Sequence, residues 1–181
     1  LILQILSDIM RPYYASNEKL MKDETLLLLD VLCVNEEALV RNVLDQVRPD
    51  ILQFHGDEAP DFCQSFERPF LKAFRIQSPG DAARIPEYQG GWSIGYLVDA
   101  WSPSEHGGTG RVLGLETARA TMTVPKGFLA GGLSPENVGA LVRGLRPFGV
   151  DVASGIELRP GIKSSQRMVS FVQEVEAACR A

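Results

Sequence analysis

Hydrophobic and polar positions alternate between two kinds of segment from about residue 26 onwards. Short apolar runs such as "TLLLLDVLCV", "ILQF" and "FLKAF" are typical of buried strands. Between them lie segments with apolar residues at helical spacing, such as "NEEALVRNVLDQV", and short helices that begin near a proline, such as "DEAPDFCQSF". Strands that alternate with helices in this way predict βαβ units and a parallel sheet.

The pattern predicts six strands and a barrel. We place the strands near 26–34, 51–55, 70–75, 94–99, 127–131 and 149–153. Their short, regular spacing favours an eight-stranded α/β barrel over an open doubly wound sheet. The first 25 residues break the pattern, because "LILQILSDIM" predicts the end of an amphipathic helix and the following stretch an exposed connection. We expect one domain over residues 1–181.

Composition restricts the partners and the compartment. The chain has 181 residues and a formal net charge of −5, which argues against nucleic acid or an anionic membrane surface as a partner. No apolar run approaches the roughly 20 residues of a membrane span. The three cysteines, Cys33, Cys63 and Cys179, are widely spaced and lack the spacing of metal ligands. We therefore expect no metal, reduced thiols and a cytoplasmic protein.

Two glycine-bearing turns in the last third of the chain predict a phosphate site. "FLAGG" ends at Gly131 and Gly132, and "GVDVAS" ends at Ser154 and Gly155. Glycines let backbone N–H groups approach an anion, and a following helix adds the positive end of its dipole. Barrels often bind phosphate in the loops after their last two strands. We therefore expect a small phosphorylated ligand here, with ordinary turn chemistry as the alternative.

Three polar residues at strand ends are candidates for catalysis or substrate binding. Asp99 ends "YLVDA", and strand C-termini face the active site of a barrel, where a partly desolvated carboxyl suits a general acid. His55 ends "ILQFHG", and Gln53 lies two residues earlier on the same side of the strand. The alternatives are a turn residue at Asp99 and a hydrogen-bonded loop histidine at His55.

A glycine-rich loop supplies the last candidate. "GGTG", from Gly107 to Gly110, is able to close over a ligand, which makes Gly108 a candidate for substrate binding. A plain surface loop is an equally good interpretation. His106 in the same loop is expected to be solvated, and Cys33 to lie in the core.

Taken together, the motifs resemble those of a known family. "LQFHGDE", "LKAFRI", "LVDA", "GGTG", "LAGGLSPENV" and "GVDVASGIE" with "PGIKS" occur in this order. The set resembles the phosphoribosylanthranilate isomerase family of tryptophan biosynthesis, from about residue 26 to the C-terminus. The resemblance implies a (β/α)8 TIM barrel. It also implies an Amadori rearrangement of N-(5-phosphoribosyl)anthranilate to 1-(2-carboxyphenylamino)-1-deoxyribulose 5-phosphate.

The resemblance also implies roles for the candidate residues. Asp99 falls on the family's general acid, which protonates the sugar ring oxygen, and His55 falls on a position that faces the substrate. The family's phosphate-binding site corresponds to the turns at Gly131–Gly132 and Ser154–Gly155. No cofactor is implied, since side chains can carry out both proton transfers. A monomer or a homodimer is expected.

The front of the chain departs from the family. A "KICG"-like strand, whose cysteine is the family's general base, and an "SPR" segment are absent from the sequence. We therefore expect a barrel whose first two βα units are missing or remodelled, with residues 1–25 unmatched. Two alternatives follow. One is a non-catalytic barrel that binds a phosphorylated metabolite and has lost its base. The other is an indole-3-glycerol-phosphate synthase, which needs lysines at strand ends, whereas Lys72 lies within its strand.

Overall fold

The computed structural model describes residues 2–5, 29–32, 36–46, 48–76, 79–99 and 118–181. Within these residues seven parallel strands form one sheet. They are β1 Ile2–Ile5, β2 Leu29–Leu32, β3 Ile51–Phe54, β4 Phe70–Arg75, β5 Ser93–Asp99, β6 Gly127–Ala130 and β7 Gly149–Val152.

Helices connect the strands along the outside of the sheet. They are α1 Glu37–Gln46, α2 Pro60–Gln64, α3 Pro79–Ala82, α4 Val138–Leu145 and α5 Ser165–Arg180, with helical residues at 118–121 and 3-10 turns at Ile85–Tyr88 and Ser154–Ile156. A short antiparallel hairpin, β8 Glu157–Arg159 and β9 Ile162–Lys163, precedes α5. None of the helices in the described ranges is long and apolar enough to cross a membrane.

The strand order is that of a barrel. It runs β1-β7-β6-β5-β4-β3-β2, so consecutive strands from β2 to β7 are neighbours and the first strand pairs with the last. Pairing of the first strand with the last is how a parallel sheet curls toward closure. The sheet is a half-barrel of the TIM-barrel type, which confirms the predicted fold class. The six predicted strands are all present.

The prediction for the start of the chain was wrong in one respect. Ile2–Ile5 form a strand that pairs in parallel with Gly149–Val152, and not the end of a helix. A four-residue apolar run fits either structure, so its periodicity alone does not decide between them. The segment is a strand because it pairs with one almost 150 residues later, and a local sequence pattern cannot predict such pairing.

Alternation along the strands separates an inner face from an outer face. Leu71, Ala73, Leu97, Phe128 and Ala130 pack together on the inner face. Their neighbours point outward and form two larger cores against the helices. One of these cores surrounds Phe54, Phe70 and Tyr88, and the other surrounds Val150, Val152 and Phe171 of α5.

The inner face becomes polar where the strands end. Continuing the same alternation by two residues leads to Gln53 on β3, Arg75 on β4, Asp99 on β5 and Asp151 on β7. Arg75 and Asp99 are direct partners in the β4–β5 ladder. The carboxyl ends of parallel strands meet at one edge of the sheet, so these groups and His55 converge above the apolar interior.

Candidate functional site

A cavity of about 250 Å³ opens at the carboxyl ends of β3, β5, β6 and β7, and we call it the cradle cavity. Seven of the eight residues predicted for the site line it: Gln53, His55, Asp99, Gly131, Gly132, Ser154 and Gly155. The eighth, Gly108, lies outside the described residues, as do His106 and Cys33. The structure therefore brings together side chains and turns that are up to 102 positions apart in sequence.

The two glycine turns are in direct contact. Gly131 and Gly132 have φ of 84° and 62°, in the left-handed region that favours glycine. A Cβ on Gly155 would overlap the carbonyl oxygen of Leu133, so only glycine lets the second turn pack against the first. The Asn137 side chain fixes the first turn, because its Nδ2 donates to Gly132 O at 2.9 Å and its Oδ1 accepts from Ser134 N–H at 2.8 Å.

Two cationic side chains hold the second turn from behind. Lys163 Nζ donates to Ala153 O at 2.8 Å and to Glu157 Oε1 at 2.9 Å. Arg167 Nε donates to Gly155 O at 2.9 Å. These bonds fix the backbone of the turn with two cations beside it. Each cation is also paired with a carboxylate, Lys163 with Glu157 at 2.9 Å and Arg167 with Glu136 at 2.8 Å.

His55 and Asp99 lie side by side in the lining of the cradle cavity. The distance from His55 Nε2 to Asp99 Oδ2 is 3.8 Å, longer than a hydrogen bond. His55 Nε2 is buried and has no hydrogen-bond partner in the described part of the chain, while Gln53 Nε2 lies 3.5 Å from His55 Nδ1. Burial lowers the pKa of His55, and the nearby Asp99 opposes that change. The ring is therefore neutral at pH 7, with a nitrogen beside Asp99 for a polar group of a ligand.

The structure adds Asp151, which the sequence analysis missed. Its carboxyl lines the cradle cavity, and Oδ1 is buried without a hydrogen-bond partner among the residues described. Burial, and then the negative charge of Asp99, raise the pKa of Asp151 to about 6, against the opposing effect of Lys163. A carboxyl with this pKa is suited to exchange protons near neutral pH. The alternation of side chains along "GVDVAS" could have placed Asp151 on the inner face of the sheet.

Arg75 is a second residue that the sequence analysis passed over. It lies opposite Asp99 in the ladder, and its side chain is exposed at the rim. It lines a second cavity of about 250 Å³, which shares His55 with the cradle cavity. Its charge contributes to lowering the pKa of His55, so the guanidinium lies near the ring. Arg75 therefore places a positive charge at the carboxyl end of β4, on the inner face of the sheet.

Lys72 and the described cysteines do not serve as reactive groups in the cradle cavity. Lys72 is buried and lies 3.2 Å from Glu58 Oε2, and it does not line the cavity. This weakens the interpretation as a synthase with a catalytic lysine. Cys63 is buried in the outer core, where burial raises its pKa to about 12, and Cys179 is exposed on α5.

Comparison with known proteins agrees with the geometry. The sequence model of the N-(5'-phosphoribosyl)anthranilate (PRA) isomerase family matches residues 10–174, a span that includes residues 10–25. A PRA isomerase of Stenotrophomonas maltophilia (strain R551-3) is 43% identical over 156 residues, covering 83% of this chain and 71% of that protein.

Two solved structures are similar in fold and in sequence. Phosphoribosyl anthranilate isomerase from Thermococcus kodakaraensis matches with a TM-score of 0.71 and 27% identity, over 86% of this chain and 77% of that one. A phosphoribosyl anthranilate isomerase crystallised with reduced 1-(o-carboxyphenylamino)-1-deoxyribulose 5-phosphate matches with a TM-score of 0.66 and 25% identity. That match covers 84% of this chain and 72% of the other.

Proposed function

The chain belongs to the PRA isomerase family, and we propose on that basis that it converts N-(5'-phosphoribosyl)anthranilate into 1-(2-carboxyphenylamino)-1-deoxyribulose 5-phosphate. The observation that supports this most is the cradle cavity itself. The two glycine turns follow β6 and β7, and the neighbouring His55 and Asp99 lie at the ends of β3 and β5, so all of them line one cavity. A sugar phosphate spans such a site with its reacting carbons beside the side chains.

The phosphate is proposed to bind between the Gly131–Gly132 and Ser154–Gly155 turns. Backbone N–H groups at these turns and the nearby charges of Lys163 and Arg167 favour an anion there. Because the turns touch at Gly155 and Leu133, the cradle is rigid before the ligand arrives. A rigid cradle fixes one end of the substrate, so the sugar ring is held in place for proton transfer.

The chemistry proposed for the other end needs one acid and one base. Asp99 gives a proton to the ring oxygen, the bond from C1 to that oxygen breaks, and a Schiff base forms between C1 and the anthranilate nitrogen. A base then removes the proton from C2, and the electron pair moves to give an enolamine. Tautomerisation of the enolamine yields the ketone. Neutral His55, beside Asp99, hydrogen-bonds a hydroxyl group of the sugar.

Asp151 is the described residue best suited to accept the C2 proton. It faces the cradle cavity, its Oδ1 is buried, and its pKa of about 6 leaves most of the population ionised at neutral pH. A desolvated carboxylate is a stronger base than one in water.

The substrate also carries a carboxylate on its aromatic ring, and Arg75 is the proposed partner for it. The guanidinium lies at the rim near His55, on the side of the cradle cavity away from the phosphate turns. Arginine binds carboxylates through two parallel hydrogen bonds, which would orient the anthranilate ring.

Assembly and location are further proposals. We propose a monomer or a homodimer that acts in the cytoplasm. A solved structure of monomers generated from the dimeric isomerase of Thermotoga maritima, 26% identical with a TM-score of 0.66, gives a precedent for both states.

The experiment is a fluorescence assay of N-(5'-phosphoribosyl)anthranilate consumption, with binding of the reduced product analogue measured in parallel. We expect turnover above the uncatalysed rate. Asp99→Asn should lower kcat by roughly 10²–10⁴-fold and leave the dissociation constant of the analogue within about threefold, since it removes the acid but not the phosphate site. A chain that binds the analogue without turnover would support the non-catalytic alternative. Full activity of the variant would remove Asp99 from the mechanism.

A further inference from the structure

A buried ion pair lies directly behind the loop that carries His55. Lys72 Nζ is 3.2 Å from Glu58 Oε2, and the two residues are only 3% and 2% exposed. Neither residue lines the cradle cavity. Lys72 lines the second cavity, but its ammonium is bonded to Glu58 and to three backbone carbonyl oxygens. The functional proposal above does not use either charge.

The pair holds the backbone on both sides of His55. Lys72 Nζ donates to Phe54 O at 3.4 Å and to Gly56 O at 2.7 Å. Both oxygens of the Glu58 carboxylate accept from Gly56 N–H, each at 3.0 Å. The residue before the histidine is thus held by one bond and the residue after it by three. Tyr88 adds a support from outside, because its hydroxyl donates to Glu58 O at 2.7 Å.

The His55 ring, by contrast, is held weakly by its own contacts. Gln53 Nε2 lies 3.5 Å from its Nδ1 and Asp99 Oδ2 lies 3.8 Å from its Nε2, both beyond a normal hydrogen bond. The charges of Arg75, Lys72 and Glu58 also act on the ring, but they do not fix its direction through a hydrogen bond. The direction of the ring is therefore set mainly by the backbone at residues 54–56. That backbone is what Lys72 and Glu58 fix.

Stability alone does not account for two charges at this place. Taking a carboxylate and an ammonium out of water is costly, and apolar residues of similar size often stabilise a core at least as well. The carboxylate also lies close to the chain it holds, because a Cβ on Gly56 would lie 2.9 Å from Glu58 Oε1 and would displace it. Apart from the bond from Lys72 Nζ to Ala73 O at 2.9 Å, the side-chain hydrogen bonds described for the pair end on Phe54 and Gly56. A costly arrangement with most of its bonds on the two neighbours of His55 indicates a geometric role.

We infer that Lys72 and Glu58 are positioning residues that aim the His55 ring at the substrate by fixing the backbone of residues 54–56. The inference rests on the proposed function only in that His55 faces the substrate. Lys72 and Glu58 act as a unit, since removing one charge would leave the other buried without a partner. A test must therefore remove both charges together.

The test is a mutant cycle between the pair and the histidine. The double variant Lys72→Met/Glu58→Gln should lower kcat by about 10- to 100-fold, the scale expected when a reacting group is misplaced by an ångström. Its affinity for inorganic phosphate should stay within twofold, because the cradle turns are not touched. In a His55→Ala background the same double change should lower kcat by less than twofold further, since there is no ring left to misplace.

Two further variants keep the test decisive. Arg41→Met/Glu37→Gln removes an exposed i,i+4 pair on α1, with 2.7 Å between its charged atoms, and should leave kcat unchanged. If the double variant does not fold, as judged by urea unfolding, Tyr88→Phe replaces it. That change removes one support of Glu58, and it should lower kcat severalfold with His55 present and not at all without it.

The outcomes separate this inference from the proposed function. If the unmodified chain has no turnover, the same cycle is measured on the affinity for the reduced product analogue, with the same non-additivity expected. Equal losses with and without His55 would overturn the inference, because the pair would then act on something other than the ring. An unchanged kcat in a folded double variant would overturn it too.

Discussion

Replacing Asp151 with asparagine should make the protein more stable and less active. The carboxyl is buried, and its pKa is raised from 3.8 to about 6. The folded state therefore favours the neutral form of this carboxyl more than the unfolded state does. That difference corresponds to a cost of about 3 kcal/mol for ionising Asp151 in the folded state at pH 7. Asparagine keeps the shape without the charge, so Asp151→Asn should raise the free energy of unfolding by about 2–3 kcal/mol at pH 7.

The sign of the effect gives a control within the same experiment. For an acid whose folded pKa is raised, stability is highest below the unfolded value of 3.8 and falls as the pH rises through about 6. The gain from Asp151→Asn should therefore shrink to less than about 1 kcal/mol at pH 4, where the native carboxyl is itself protonated. Asn42→Ala, at an exposed site on α1 that carries no titratable group, should change the stability equally at the two pH values.

Urea unfolding at pH 4 and pH 7 measures both effects, and kcat/KM against pH measures the catalytic one. The native chain should lose activity as the pH falls through about 6, because Asp151 must be ionised to accept a proton. The variant should lose most of its activity and also this pH dependence. A gain in stability that is equal at the two pH values, or a loss at pH 7, would refute the reasoning.

Two further substitutions test the ends of the proposed substrate site. Arg75→Ala should weaken binding of the reduced product analogue about tenfold, the scale of one charge-assisted hydrogen bond, while the affinity for inorganic phosphate stays the same. Arg180→Ala, in an exposed i,i+4 pair with Glu176 on α5, should change neither; equal losses in both variants would contradict a specific role for Arg75. Gly155→Ala should destabilise the fold by more than about 1 kcal/mol and weaken phosphate binding at least tenfold, because the new methyl group forces the turn away from Leu133. Unchanged phosphate affinity in that variant would place the anion elsewhere.

Much of the site followed from patterns that are local in sequence. The position of Asp99 at a strand end, the alternation that joins Gln53 to His55, and the glycines at the ends of β6 and β7 could each be found within a few residues. The parallel sheet then brings the strand ends together without further information. The cradle cavity could be predicted because each of its parts is a feature of one βα unit.

What the sequence did not reveal depends on contacts between distant segments. Ile2–Ile5 become a strand through pairing with β7, which no local periodicity reports. Asp151 was visible as an inner-face residue, but its raised pKa depends on burial and on Asp99, which is 52 positions away. The partner of Lys72 within its strand is Glu58, on the preceding loop, and this pairing depends on the folded structure.

The central claim is that one sugar phosphate lies with its phosphate between the two glycine turns and its sugar against His55 and Asp99. A crystal structure of the chain with the reduced product analogue tests this most directly. We predict the phosphate within hydrogen-bond distance of the backbone amides at Gly132 and Gly155, and the sugar chain in contact with both side chains. A phosphate bound away from these turns, or a sugar out of reach of Asp99, would contradict the account.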